Sequence, residues 1–248
     1  MKRLFVAAIA AFTMTTSAFA LDITAMNDDE RAAFRAEVRA YLLENPDVIM
    51  EAVAVLEQRQ AANQDQTDID LVRANADDLF NDGHSWVGGN LQGDIVMVEF
   101  TDYRCGYCRR AHDEVAELIA SDGNIKFIIK EYPILGEAST MSARFAIATQ
   151  QVLGQDAYYN VQNALMTFNG DVTETTLRRL GEGLGLDADA ILAGMDADSV
   201  TAVIAANHAL AARMQITGTP TFVMNETMVR GYVPLDGMRQ IVSEIRGN

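Results

Sequence analysis

The chain has 248 residues, of which 35 are acidic and 19 basic, and its formal net charge is −16. Such an acidic chain repels nucleic-acid phosphates and anionic lipid surfaces, so we expect protein or small-molecule partners and no nucleic acid. Its two cysteines are too few for the disulfide framework of a small secreted domain, and its length can bury a core without one.

The first twenty residues have the pattern of a secretory signal peptide. Lys2 and Arg3 precede an apolar run over residues 4–14, and the sequence AFA at 18–20 is a small-x-small cleavage pattern. The apolar run is shorter than the ~20 residues of a membrane-spanning helix. We therefore expect export and cleavage after Ala20. Removal of the two basic residues leaves a net charge of −18.

Residues 21–66 are predicted to form a helical arm. Apolar residues recur at helical spacing in two segments that Asn45 and Pro46 separate. The arm closes with the polar stretch EQRQAANQDQ, residues 57–66, which we interpret as a linker. Two short helices cannot bury their own apolar faces. These faces either pack on the main domain or, as we favour, join copies of the chain into a homo-oligomer.

The remaining residues, 67–248, are predicted to form one α/β domain. Strand 94–103, helix 105–120 and strand 124–132 follow each other, which predicts a parallel βαβ unit with a right-handed crossover. Residues 138–214 lack strand patterns and predict a helical insertion of four or five short helices.

The C-terminal part of the domain is predicted to be a β-hairpin and a helix. Residues 219–233 have strand composition on both sides of a turn near Asn225 and Glu226. Residues 235–245 then carry apolar side chains on one face of an amphipathic helix.

Cys105 and Cys108 stand at the junction between the first strand and its helix. A helix N-terminus stabilises an anion, so Cys105 is predicted to be an activated thiolate, and Arg104, Arg109 and Arg110 add positive charge. Cys108, one turn deeper, is predicted to be shielded and to resolve a mixed disulfide.

Two other roles for the cysteine pair are less well supported. A structural disulfide between them would close a very small loop, where a cross-link stabilises least. A zinc site takes four ligands, and the three histidines, His84, His112 and His208, are scattered without metal spacing. We expect His112 to be a surface residue, and we expect neither a metal nor another cofactor.

Several segments together resemble a known family. The sequence EFTDYRCGYC at 99–108, with GTPTFV at 218–223, resembles the thioredoxin fold. The helical insertion and KEYPILGEAS at 130–139 resemble the DsbA subgroup of exported thiol-disulfide oxidoreductases. The arm sequence YLLENPDVIMEAVAVLEQRQ at 41–60 resembles the ScsC-like members, of the suppressor-of-copper-sensitivity type. The resemblance implies a periplasmic protein.

The resemblance also implies supporting residues. Thr219 and Pro220 match the cis-proline loop that faces the sulfurs, and Glu99 matches a buried acid that moves protons to and from the inner thiol. Independently, an X-Pro bond tolerates the cis form, and a proline leaves a sheet edge open to a client strand. A buried carboxylate is costly, so an outward-facing Glu99 is the alternative.

The residues between the cysteines bear on the direction of the reaction. DsbA-type oxidases carry Pro-His there and Val before the cis-proline, whereas this chain has Gly106, Tyr107 and Thr219, which is similar to DsbC-type isomerases. We favour an isomerase or reductase that acts on disulfide-containing client proteins and is kept reduced by a membrane-linked redox partner. The alternatives are a dithiol oxidase and, in another class, a chaperone or copper-binding module.

Overall fold

The computed structural model describes residues 24–247, so the predicted signal peptide lies outside the described residues. The chain divides into two compact units between Arg59 and Gln60. Within the described part, no helix combines the length and the apolar character that are needed to cross a bilayer.

The N-terminal unit contains α1 (Asp28–Glu44) and the first part of α2 (Asp47–Ala74). A capping box begins α1: the side chains of Asn27 and Glu30 each accept the other residue's backbone N–H at 2.9 Å. None of the residues of α1, which lies wholly in the described part, is buried. The large apolar side chains exposed in this unit are Phe34, Val38, Tyr41, Leu43, Ile49, Met50, Val53, Val55 and Leu56.

The prediction of a linker at residues 57–66 is wrong. These residues belong to α2, which continues to Ala74. The stretch has no glycine or proline, and glutamine, alanine, glutamate and arginine are good helix formers. Hydrogen bonds between residues four apart, from Gln64 to Asp68 at 2.8 Å and from Gln66 to Asp70 at 3.1 Å, support the helix.

The second unit has the predicted α/β architecture. Its strands are β1 (Trp86–Gly89), β2 (Ile95–Thr101), β3 (Ile125–Glu131), β4 (Thr221–Met224) and β5 (Thr227–Arg230). Its further helices are α3 (Ala76–Phe80), α4 (Gly106–Asp122), α5 (Glu137–Leu153), α6 (Gln155–Thr167), α7 (Glu174–Gly183), α8 (Ala188–Gly194), α9 (Asp198–Arg213) and α10 (Leu235–Arg246).

These strands form one sheet in the order β1-β3-β2-β4-β5. β2 and β3 are parallel and α4 connects them, which confirms the predicted βαβ unit, while the other neighbours are antiparallel. The hairpin turn lies at Asn225 and Glu226, as predicted, between β4 and β5. The insertion has five helices, α5 to α9, within residues 137–213.

Both faces of the sheet are covered, so its central strands are buried on both sides. On β2, Met97 belongs to the core under α4, whereas Val98 and Phe100 belong to the core on the opposite face. On that opposite face the side chain of Lys130 is fully buried. Its ammonium group donates to the carbonyl oxygen of Asp78 at 2.7 Å and pairs with Asp82.

Candidate active site

Cys105 and Cys108 lie between the end of β2 and the start of α4. Cys105 is the N-cap residue of α4, and its sulfur accepts the backbone N–H of Cys108 at 3.5 Å. Cys108 is fully buried, whereas Tyr107, between the two, is 61% exposed. Neither cysteine forms a disulfide, and Cys105 is buried as well, at 8% exposed. Because Cys105 is the N-cap residue, the unpaired N–H groups at the start of α4 point towards it.

The loop that precedes β4 lies against the same sulfur. The Thr219–Pro220 peptide bond is cis, and the Thr219 carbonyl oxygen is 3.2 Å from Cys105 Sγ. The Pro220 carbonyl oxygen accepts the backbone N–H of Gly231 at 2.9 Å, which ties this loop to the end of the hairpin. The structure thus brings Thr219 and Pro220 together with the first cysteine.

The two thiols differ in acidity. A hydrogen bond with the Cys108 thiol is the main cause that lowers the pKa of Cys105 to about 5, and the Thr219 side chain and backbone N–H groups add to it. The same hydrogen bond, with burial and the charge of Glu99, raises the pKa of Cys108 well above its usual value. Near neutral pH, the site therefore holds a Cys105 thiolate, which is the nucleophilic form, beside a Cys108 thiol.

Hydrogen bonds are the main causes of the acidity of Cys105, and the charges of the nearby arginines are not among these main causes. Arg109 instead donates to the carbonyl oxygens of Tyr103 at 2.7 Å and Phe168 at 2.5 Å. Arg104 donates to the Gly170 carbonyl oxygen at 3.3 Å. Through these hydrogen bonds, Arg104 and Arg109 hold the loop between α6 and α7 against the turn that carries Cys105.

The third arginine belongs to an aromatic group beside the cysteines. Arg110 lies 4.5 Å from the centre of the Tyr232 ring, and that ring is stacked on Tyr107 with 6.1 Å between centroids. The Tyr232 hydroxyl donates to Glu114 at 2.7 Å. The contact with the Tyr232 ring therefore holds Tyr107 in place at the surface next to Cys105.

Asp102 connects the two loops at this end of the parallel strands. One carboxylate oxygen accepts the Arg104 N–H at 2.7 Å and the Ser139 hydroxyl at 2.8 Å. The other accepts the backbone N–H groups of Ile134 at 2.8 Å and Leu135 at 3.1 Å. A buried charge with four donors is well compensated, so Asp102 fixes the position of the turn that carries Cys105.

Glu99 lies on β2, beside Ile129 of β3 and Phe222 of β4, and is 3% exposed. The alternative of an outward-facing side chain is wrong. Burial is the main cause that raises the pKa of Glu99 to about 7, and the charge of Cys105 adds to it. A carboxyl group with this pKa can both accept and release a proton near neutral pH.

A second buried carboxyl group lies on the same face of the sheet. Glu131 accepts the hydroxyl groups of Tyr103 at 2.5 Å and Tyr158 at 2.6 Å on one oxygen. Its other oxygen has no hydrogen-bond partner among the described residues. Burial, with the charges of Asp102 and Glu99, raises the pKa of Glu131 to about 8.

Sequence reasoning missed Asp102 and Glu131, although the sequence carries a signal for each. Glu131 follows Ile129 by two residues, so strand alternation places it on the inward face, as it does for Glu99. Asp102 directly follows β2, where a short acidic side chain can accept backbone N–H groups of a turn.

The histidines lie apart from one another. His84 pairs with Asp82 at 2.9 Å, and a ring nitrogen of His208 lies 3.1 Å from the Pro133 carbonyl oxygen. His112 is half-buried, which corrects the expectation of a surface residue, because α6 of the insertion packs on α4 at this point. Within residues 24–247, no three histidine, cysteine, aspartate or glutamate side chains are grouped as metal ligands.

Two family models match the chain. A model described as thioredoxin matches residues 81–244, and a model described as the copper resistance protein ScsC N-terminal domain matches residues 30–63. The resemblance to DsbA-like proteins with an ScsC-type arm is thereby confirmed.

Solved structures and curated proteins also resemble the chain. A thioredoxin-like oxidoreductase from Silicibacter pomeroyi DSS-3 is 41% identical, with a TM-score of 0.65 over 69% of this chain and 98% of that one. The thiol-disulfide exchange protein alpha-DsbA2 from Wolbachia pipientis is 25% identical, with a TM-score of 0.69 over 74% and 98%.

Among curated proteins, Na(+)/H(+) antiporter NhaA 1 from Salinispora arenicola (strain CNS-205) is 27% identical over 63% of this chain. The chain spans about a quarter of the length of the curated antiporters that it matches.

Proposed function

This chain belongs to the thioredoxin family, among the DsbA- and ScsC-like thiol-disulfide oxidoreductases, and we propose that it is a disulfide isomerase or reductase for exported client proteins. The observation that carries the proposal is the unequal state of the two sulfurs. Cys105, which is 8% exposed, is a thiolate near neutral pH, and Cys108 is a fully buried thiol. The Cys105 thiolate can attack a client disulfide, and Cys108 can later release the client from the mixed disulfide.

The supporting residues have roles that agree with this reaction. Thr219 and Pro220 lie against Cys105, where a client strand can pair with the open edge that a proline leaves. Tyr107 offers an exposed aromatic surface for that client. Gly106 has open space where a side chain would stand, so a client can approach the backbone there. Glu99 serves as the acid that exchanges a proton with Cys108.

Scrambled ribonuclease provides the test of the reaction type. We expect the reduced chain to restore ribonuclease activity, Cys105→Ser to abolish this reactivation, and Cys108→Ser to accumulate a mixed disulfide with the client. An oxidase would instead act on reduced ribonuclease and fail on the scrambled form. Full reactivation by Cys105→Ser would exclude thiol catalysis, whereas reactivation only of reduced ribonuclease would favour the oxidase.

The exposed apolar faces of the arm support self-association. A surface with this many large apolar side chains is typical of an interface, and several active sites around one client raise their effective concentration. We expect the protein to be an oligomer whose mass in light scattering falls to that of one chain on Leu43→Glu or Met50→Glu. Gln58→Leu, at an exposed polar position, is the matched control. A monomeric wild type would contradict the oligomer.

The proposed location is the periplasm, after removal of residues 1–20. The predicted signal peptide and the resemblance to exported oxidoreductases support it. A membrane-linked reductant would then keep the cysteine pair reduced. Fractionation of cells, with sequencing of the mature N-terminus, tests both points. A cytosolic protein that retains Met1 would contradict them.

A further inference from the structure

A cavity of about 310 Å³ lies between α4, β1 and α6 and reaches Glu99. The polar side chains that line it include Glu99, Gln162 and His112. Its apolar walls include Trp86, Val115, Ile119, Phe127 and Tyr159. The lining extends from the buried Glu99 to the exposed Ala116 on the outer side of α4, so the cavity connects the acid to the surface.

Gln162 is unusual among the residues of this cavity. Its side chain is 1% exposed, and its carbonyl oxygen has no hydrogen-bond partner among the described residues. Burying an unpaired amide oxygen costs about 1–3 kcal/mol, so a group inside the cavity that donates a hydrogen bond offsets this cost. The cavity is large enough for water, and Glu99, Gln162 and His112 supply the polar partners that a buried water needs.

The titratable groups described around Glu99 are themselves buried, and Thr101 on its own strand does not titrate. Cys105 and Cys108 face it from α4, and Glu131 and Tyr158 lie on the same side of the sheet. In the described part of the chain, no lysine or arginine lines the cavity, since Lys130 of the neighbouring strand turns to the opposite face.

We propose that this cavity holds water and is the path by which Glu99 exchanges its proton with solvent. In this path Gln162 positions the water, and His112 accepts the proton at the half-buried rim. The inference rests on the proposed function, because the Cys108 proton has to move whenever Cys108 releases a client from the mixed disulfide. Glu99 and His112 carry the proton, and Gln162 is a positioning residue.

In the resolving step, Cys108 releases the client from its mixed disulfide with Cys105. The Cys108 sulfur attacks Cys105 in the mixed disulfide, the Cys105–Cys108 bond forms, and the client sulfur leaves as a thiolate with the electron pair. The client is reduced and the cysteine pair is oxidised. The Cys108 proton passes to the Glu99 carboxylate, then to the cavity water and His112, and the reverse step returns it.

His112 is suited to this role by its surroundings. Burial is the main cause that lowers its pKa, whereas the charge of Asp113 and a hydrogen bond with the Asn163 side chain raise it. It is therefore a neutral imidazole near neutral pH, which can accept a proton from the cavity side and release it to solvent.

The test measures the resolving step directly with the reduced full chain and a disulfide-linked peptide that carries a fluorophore and a quencher. His112→Ala, His112→Gln and Gln162→Met are compared with wild type and with His208→Gln, the same histidine-to-glutamine change outside the cavity. We expect the three cavity variants to release the second peptide half at least about tenfold more slowly near neutral pH. The alkylation rate of Cys105 and the glutathione equilibrium stay unchanged, since the path affects only a rate.

Added imidazole separates proton transfer from packing. We expect it to restore the rate of His112→Ala, which removes the ring and leaves room for imidazole, and to leave wild type and His208→Gln unchanged. Wild-type release rates in all cavity variants, or slow rates that imidazole does not restore, overturn the inference. A wild-type chain that does not cleave the peptide contradicts the proposed function instead, so the two failures are distinguishable.

Discussion

Glu131 should make the protein less stable as the pH rises, and Glu131→Gln should remove this effect. The folded state raises the pKa of this carboxyl group from 4.5 to about 8. Between these two values the folded chain binds more protons than the unfolded chain, so the free energy of unfolding falls as pH rises through that window. Glutamine keeps the shape and an oxygen that accepts the two tyrosine hydroxyls, but it does not ionise.

The magnitude follows from the linkage between protonation and folding. A pKa of about 8 in place of 4.5 corresponds to about 5 kcal/mol at about 1.4 kcal/mol per pH unit. Glu131 is fully buried, so solvent screens little of this cost. From about pH 5 to about pH 9, we expect the free energy of unfolding of Glu131→Gln, relative to wild type, to rise by about 3–5 kcal/mol.

Urea denaturation followed by tryptophan fluorescence measures this difference. Trp86 is the only tryptophan of the chain, and its ring lies stacked with Tyr158, a hydrogen-bond partner of Glu131, at 6.2 Å between centroids. Glu182→Gln is the matched control, because that side chain is exposed, and we expect it to follow wild type within about 0.5 kcal/mol at every pH. Parallel curves for Glu131→Gln and wild type would refute the reasoning.

Three further predictions concern the active-site turn. Alkylation of Cys105 by iodoacetamide should stay level near neutral pH and slow as pH falls through about 5, where the thiolate is lost, while peptide mass spectrometry finds Cys108 unmodified. Asp102→Ala should lower the free energy of unfolding in urea by about 3–5 kcal/mol, since four donors lose their acceptor. Arg109→Met should speed amide hydrogen exchange at residues 168–170, and unchanged exchange there would contradict its fastening role.

Features that depend on local pattern could be predicted from the sequence. The βαβ unit follows from the order of strand and helix periodicities, and the hairpin turn follows from Asn225, which takes the left-handed conformation at φ 52°. Cys105 follows from its place before a helix, where any N-cap side chain meets free N–H groups. Each of these inferences needs only neighbouring residues.

Features that depend on distant contacts could not be predicted in the same way. The charges of Arg104 and Arg109 are visible in the sequence, but their carbonyl partners lie about sixty residues away in the insertion. The cost of burying Lys130 is offset by Asp82, 48 residues earlier, which no local pattern announces. The polar end of α2 has the composition of a linker and of a helix alike, and composition alone does not separate the two.

The unequal acidity of the two sulfurs has a consequence for the type of reaction. A client held on Cys105 is released by Cys108. In the mixed disulfide Cys105 is no longer a thiolate, so burial and the charge of Glu99 are the causes that still favour the protonated form of Cys108. A protonated Cys108 prolongs the mixed disulfide, and a client that is held longer has time to rearrange through its own thiols. Such a delay agrees with the isomerase that we propose. Glu99, whose pKa is about 7, ends this delay when its carboxylate accepts the Cys108 proton. In the proposed reaction, the balance between isomerisation and reduction of the client therefore depends on how readily Glu99 loses that proton again.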